Sequence, residues 1–222
     1  MNPRRGLKAI GLTCSVAVLA ACNTFGSSPP PPVVRPPAFT ALGLSAAYLY
    51  SDVVGGHRAR ATKMKATKIR PLSAAAAPAY MANLASELRR QTAGIGLDVL
   101  QVGNGIIVRI PAEFTFDPGS SAVKPQTDAT LLEIARTVKT RSQTYVDVFA
   151  HTDTTGTASV NEALSNKRAA AVATYLASHG VSKARIASKG LGETAPLYNP
   201  EADETQKAAN RRIEIRLTPY LG

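Results

Sequence analysis

Tryptophan is absent from this sequence of 222 residues, and aromatic residues make up only 5% of it. Hydrophobic residues amount to 45%, so a packed core is available, but it has to be built from aliphatic side chains. Cysteine is nearly absent too. Cys14 and Cys22 both fall near the N-terminus, so the body of the chain can hold neither a disulfide framework nor a cysteine metal site. Among His57, His151 and His179, no pair has metal-ligand spacing, and no metal or other cofactor is expected.

Acidic residues are the minority, 15 against 26 Lys+Arg, which gives a formal net charge of +11. A charge of that size invites a nucleic-acid reading, but its distribution argues against one. Arg4, Arg5 and Lys8 sit at the extreme N-terminus, and Arg58, Arg60, Lys63, Lys65, Lys68 and Arg70 cluster without one intervening acid. From Arg109 onward 14 Lys+Arg face 12 Asp+Glu, a difference of +2. The basicity belongs to segments, and no nucleic-acid partner is expected for the globular part.

A run of apolar and small residues long enough to span a bilayer is also missing near the N-terminus. Ala9 to Ala21 is uninterrupted, but its length falls short of the roughly 20 residues a membrane helix needs. It fits the apolar part of a signal peptide behind the basic start, and residues 1–21 are read that way. The run ends Leu19-Ala20-Ala21-Cys22, which looks like a lipobox, with Cys22 as the acylated N-terminus of the mature chain. The alternative is an ordinary secretory signal with Cys22 incidental. Asn23 follows, where an Asp would resemble an inner-membrane retention signal, so the outer membrane is expected.

Residues 22–37 contain Pro29 to Pro32 and Pro36-Pro37, and read as a semi-rigid tether rising about 3.1 Å per residue. Residues 38–93 read as a membrane-proximal apolar, basic and helical segment. Phe39, Leu42, Ala46, Leu49 and Val53 mark one helical stripe, and the cluster from Arg58 to Arg70 follows Gly55-Gly56. That cluster reads either as a patch attracted to anionic headgroups or, the reading preferred on sequence, as a solvated flexible run. Pro78 opens a further helix with Met81, Leu84, Ala85 and Leu88 on one face.

Residues 94–222 alternate strand and helix. A hairpin is expected around Gly103-Asn104-Gly105, a helix over about Pro125 to Thr140, and a strand over Tyr145 to Ala150. Thr157 is placed as the N-cap of a long helix ending near Gly180, and strands follow at Ile186 to Leu191 and Ile213 to Leu217. The fold class is α/β: a two-layer sandwich in βαβαββ order, with a mixed sheet and helices on one side. On the long helix Val160, Leu164, Ala171 and Tyr175 are expected to face inward, with Arg168 at the border of that face.

The turn His151-Thr152-Asp153-Thr154-Thr155-Gly156 precedes that helix, placing Asp153 beside unpaired backbone N–H groups. His151, Asp153 and Ser159 superficially suggest a hydrolase. Residues two apart on an extended segment do not form the nucleophile–base–orienter chain, so no catalytic residue is assigned. Asp153 and Arg168 read equally well as a structural bridge or as two halves of a binding site.

These blocks resemble a known family. His151-Thr152-Asp153-x-x-Gly156, Asn161-x-x-Leu164-Ser165-x-x-Arg168-Ala169 and Asn210-Arg211-Arg212-Ile213-Glu214-Ile215 look like the OmpA-like domain, with Gly190-Leu191-Gly192-Glu193 between them and Thr115-Phe116-Asp117 at the entry. The resemblance covers roughly residues 94–218 and, with the lipobox, is nearest to YiaD-type and peptidoglycan-associated outer-membrane lipoproteins. Ala150 departs from it, because Gly commonly precedes the His, and residues 38–54 are short where those relatives often carry longer Gly-rich repeats.

The resemblance implies a non-catalytic tether that binds peptidoglycan through the diaminopimelate of the peptide stem. Asp153 and Arg168 would grip it, with Asn161, Thr152 and Arg211 as further site residues. Asp153 would accept from the ligand ammonium, and Arg168 would present a fork of N–H groups to its carboxylate. The alternative is the wall-anchoring component of a larger secretion or stator assembly.

Overall fold

The computed structural model describes residues 56–222. The lipobox, the proline-rich tether and the apolar stripe at 39–53 lie outside these residues. Six helices and five strands are described: α1 (His57–Ala66), α2 (Ala77–Gln91), β1 (Asp98–Val102), β2 (Gly105–Pro111), α3 (Ala112–Thr115), α4 (Pro125–Thr140), β3 (Thr144–His151), α5 (Ala158–Ser178), β4 (Ile186–Gly192), α6 (Glu204–Asn210) and β5 (Arg212–Pro219).

Local chemistry sets most of these boundaries. Pro125 opens α4, where its missing N–H costs nothing. Thr157 is the N-cap of α5, its hydroxyl accepting from the Val160 N–H at 3.4 Å. At the far end Gly180 takes a φ of +93°, and the Val181 N–H donates to the Leu176 carbonyl at 3.1 Å. Only a residue without a Cβ enters that left-handed conformation freely, so the helix stops there.

The strands form one mixed sheet in the order β1-β2-β5-β3-β4. β3 and β4 are parallel, joined through α5, and every other pairing is antiparallel. Alternation splits the sheet into two faces. Ile106, Val108, Ile110, Val146, Val148, Ala150, Ile213, Ile215 and Leu217 enter the main core, which α2, α4 and α5 cover. The core is aliphatic apart from Phe116, as the composition requires.

Three findings add to or differ from the sequence reading. First, Met81, Leu84, Ala85 and Leu88 of α2 belong to the same core as the sheet, so an apolar contact surface runs straight across the expected boundary at residue 94.

Second, the basic segment is not a solvated run. Its first part is α1, which packs on the other face of the sheet. There Met64 is buried beside Tyr145 and Tyr220, and the His57 ring stacks on Tyr145 at 4.0 Å. Arg60 is buried, with Nη2 2.7 Å from Oδ1 of Asp147 and Nη1 donating to the Arg185 carbonyl at 2.9 Å.

Third, α5 is turned from its expected orientation. Val160 is 60% exposed and Leu164 is half-buried, while Asn161, Ser165, Arg168, Ala169, Val172, Ala173 and Leu176 face inward. The cause is the close approach of α5 to β4. A Cβ at Gly190 would collide with the backbone of Ser165 and Asn166. Bulky residues cannot occupy that contact, and the small, polar Ser165 faces it.

Candidate binding site

The site forms where β3 ends and α5 begins. Thr152 and Asp153 leave the sheet there, held by the Thr152 N–H donating to the Gly192 carbonyl at 2.9 Å. Asp153 is 7% exposed and both carboxylate oxygens are engaged. Oδ1 accepts from the Thr155 N–H at 3.0 Å, and Oδ2 accepts from Nη1 of Arg211 at 2.6 Å. Burial pushes the carboxyl up, but the Arg211 contact and the Thr155 hydrogen bonds together hold it below the usual carboxylate range. Asp153 is therefore an anion at neutral pH.

Asn161, one turn into α5, holds the loop in shape. Its Nδ2 donates to the carbonyls of Asp153 and Thr155 at 3.2 and 3.1 Å, and to Oε2 of Glu193 at 2.7 Å. Thr152 is buried as well, and its hydroxyl lacks a hydrogen-bond partner among the described residues.

Arg168 lies two helical turns further on and is 6% exposed. It does not pair with Asp153. Nε donates to the Ser120 carbonyl at 2.8 Å and Nη2 to the Asp117 carbonyl at 3.2 Å, while the guanidinium lies 5.2 Å from the centre of the Phe116 ring. Carbonyl dipoles and a ring face position this cation without cancelling its charge. Among the described residues no carboxylate pairs with it. Burial and the neighbouring Arg211 both act against its proton, lowering its pKa from the usual arginine value. The structural-bridge reading of Asp153 and Arg168 is thereby excluded: each has a separate support, and Asp153 is neutralised by Arg211.

Arg211 joins the end of α6 to the site. Besides Asp153 it contacts Oε1 of Glu204 at 2.6 Å and Oε2 of Glu113 at 3.7 Å. Sequence reasoning gave no role to Glu193, Glu201, Asn210 or the 117–120 turn. Asn210 ties the floor together, accepting from the Leu197 N–H at 2.6 Å and donating to Oε1 of Glu201 at 2.6 Å. Oε2 of Glu201 then receives the Thr154 hydroxyl at 2.7 Å. The signal for Asn210 was its place in the Asn210-Arg211-Arg212 block; Glu201 had none.

His151 faces away from this site. It is buried on the opposite side of the sheet, its Nε2 4.0 Å from Oε2 of Glu214. Burial and the nearby Arg212, Arg216 and Arg109 keep its pKa well below the usual histidine value, despite Glu214. Arg212 and Arg216 both contact Glu214, whose carboxyl is pushed far below the usual range despite its own burial. This histidine lies on the face of the sheet away from the loop and cannot serve a nucleophile there. The described residues contain no group of His, Cys, Asp or Glu arranged to hold a metal ion. Among them no helix is long and apolar enough to cross a membrane.

Comparison with known proteins shows what this region of the chain is similar to. The OmpA family profile matches residues 115–211, which contain Asp153, Asn161, Arg168 and Arg211. The chain is 39% identical over 140 residues to the probable lipoprotein YiaD of Escherichia coli, a match covering 63% of this chain and 64% of the relative. It is 36% identical over 109 residues to the peptidoglycan-associated lipoprotein of Pseudomonas aeruginosa, covering 49% of this chain and 64% of that one. In both cases the chain spans just under two thirds of the relative's length. Among solved structures, the cell wall anchor of the T6SS from Pseudomonas aeruginosa superposes with a TM-score of 0.53 at 26% identity, covering 64% of this chain and 99% of that one. Residues 115–211 of this chain are thus similar to the OmpA family over the stretch that carries the candidate site.

Proposed function

We propose that this protein is an outer-membrane lipoprotein that tethers the membrane to peptidoglycan without catalysing a reaction. Its globular domain stands in the periplasm, anchored through acylated Cys22, and binds the diaminopimelate of the peptide stem. The observation that carries the reading is Arg168, a buried guanidinium held by carbonyls and a ring but by no carboxylate among the described residues. A buried charge without a counter-ion is costly, and a ligand carboxylate would relieve that cost. Its two hydrogen bonds leave Nη1 for that carboxylate.

The free end of diaminopimelate carries an ammonium and a carboxylate on one carbon. The carboxylate suits Arg168, and the Asp153 anion suits the ammonium, competing with or sharing the contact to Arg211. The buried Thr152 hydroxyl offers a further polar contact. The peptidoglycan-associated lipoprotein among the relatives supports the same ligand class. The likeness to the wall anchor of a secretion system favours a second reading, in which the domain is the foot of a larger assembly.

Sedimentation of the full chain with purified peptidoglycan tests the site. Arg168→Ala is expected to weaken binding roughly 30-fold or more, the consequence of losing about 2 kcal/mol or more from a desolvated charged contact. Arg168→Lys keeps the charge but not the fork, and is expected to bind poorly too. Undiminished binding by a folded Asp153→Ala, Arg168→Ala double variant places the site elsewhere. For the anchor, mass spectrometry of membrane-extracted protein is expected to find an acylated Cys22 peptide with nothing before it. An unmodified Cys22 thiol ends the lipoprotein reading.

A further inference from the structure

α1 carries an exposed cationic face that the wall-binding reading does not use. Arg58, Lys63 and Lys65 on the helix, and Lys68 and Arg70 just after it, are all exposed. Among the described residues none of the five pairs with a carboxylate, and no acid interrupts residues 57–70. A run of lysines is ordinarily a flexible, solvated segment. Here it is fixed in place. Arg60 lies 2.7 Å from buried Asp147, His57 is stacked on Tyr145, and Met64 is buried on the same face of the sheet. The inward residues of α1 are committed to the domain, so the outward cations form a surface of set shape.

The position of this surface matters. α1 contacts the first residues of β3, Tyr145 and Asp147, on the face opposite α5. Asp153 follows the far end of β3. Six residues of strand separate Tyr145 from His151, about 20 Å at about 3.3 Å per residue. The cationic surface and the candidate wall site thus lie at opposite ends of β3 and on opposite sides of the sheet. In sequence α1 is the first described element after the N-terminal segment that contains Cys22.

We propose that the exposed face of α1 docks on an anionic phospholipid surface and orients the domain with Asp153 and Arg168 directed away from the bilayer. Several cations on one rigid face act together within the Debye length of a charged membrane, whereas the same charges on a loose segment lose entropy when they settle. The proposal goes beyond the function above and does not require diaminopimelate to be the ligand.

Lysine footprinting on the full chain tests it. The protein is reconstituted in vesicles of phosphatidylcholine alone, or with about 30% phosphatidylglycerol, and exposed to a water-soluble acetylating ester. Mass spectrometry then compares Lys63 and Lys65 with Lys167, an exposed lysine on α5. In the anionic vesicles, acetylation of Lys63 and Lys65 relative to Lys167 is expected to slow about fivefold, the population shift that one cation near such a surface supplies. The difference is expected to collapse at about 0.5 M salt, where screening is short-ranged. Equal ratios in the two vesicle types overturn the proposal. Protection that appears only when peptidoglycan is added to neutral vesicles also overturns it, and assigns the surface to the wall polymer. Peptidoglycan sedimentation is a separate measurement, so failure of one reading is distinguishable from failure of the other.

Discussion

Gly190→Ala is expected to damage both the fold and the site, although alanine is the smallest change a glycine can undergo. Gly190 sits in β4 against the backbone of Ser165 and Asn166, and a Cβ there would overlap both. Backbone cannot swing aside as a side-chain tip can, so α5 has to back away by about 1 Å to regain normal contact distances. Two hydrogen bonds bracket the contact. The Gly190 N–H donates to Oδ1 of Asn166 at 2.8 Å, and the Gly192 N–H donates to Oγ of Ser165 at 2.9 Å. Overpacking costs about 1–3 kcal/mol, and each bond lost adds about 0.5–1.5 kcal/mol, which together come to about 2–6 kcal/mol. For a chain of this size that corresponds to a fall in Tm of at least about 4 °C. Because α5 carries Asn161 and Arg168, the same displacement pulls both away from Asp153 and Ser120. Peptidoglycan binding is therefore expected to weaken well below the melting transition. Thermal unfolding followed by circular dichroism, with sedimentation at about 25 °C, measures the two effects. The φ of Gly190 is not in the left-handed region, so backbone preference alone would make Ala neutral or stabilising. A variant as stable as the parent refutes the close-contact argument.

Further outcomes follow from the charged and titratable groups described above. Arg60→Ala removes the cation 2.7 Å from buried Asp147 and leaves His57 at 3.5 Å, so losing that partner is expected to cost about 3–5 kcal/mol and release α1. Limited proteolysis then cuts within 57–70 far sooner than in the parent; unchanged cutting there counts against α1 as a docked element. His151 has a folded pKa below its unfolded value near 6.5, so the unfolded state binds the extra proton as pH falls. Its contribution to stability is complete above about pH 6.5 and declines below it, by at most about 1.4 kcal/mol per pH unit. Urea unfolding between pH 7 and 5 is expected to show that limb, and His151→Gln to flatten it; an identical slope in the variant removes His151 as its source. Asp153 and Glu201, both held below their usual values, add a second decline as pH falls below about 4.

Elements with local signals were legible in the sequence. Pro125, the Thr157 cap, Gly180 and the Gly103-Asn104-Gly105 turn each act through neighbouring backbone, and the corresponding elements stand where those residues place them. The site was legible in its residues but not in its pairing. Asp153 and Arg211 meet because β5 inserts beside β3, and nothing within fifteen residues of either encodes that neighbour. The inward face of α5 was misread because apolar periodicity assumes that the largest residues face inward. Close packing at Gly190 places Ser165 there instead. α1 escaped notice for a related reason, since its buried residues are Arg60 and Met64, which leave no apolar stripe.

The strand order β1-β2-β5-β3-β4 also constrains the moment at which this domain can come into existence. β5 is the last strand in the chain, yet it lies between β2 and β3 and bonds to both. Before residues 212–219 are available, β1-β2 and β3-β4 are separate two-stranded ribbons, each with an open edge where β5 belongs. A chain leaving a ribosome or a translocation pore from its N-terminus therefore carries two sticky edges until its final strand arrives. Closing the sheet then joins segments more than a hundred residues apart, a slow search by the contact-order rule. Until β5 pairs with them, those edges are open to pairing with other chains. Shortening it before Arg212 is expected to yield aggregation rather than a smaller domain.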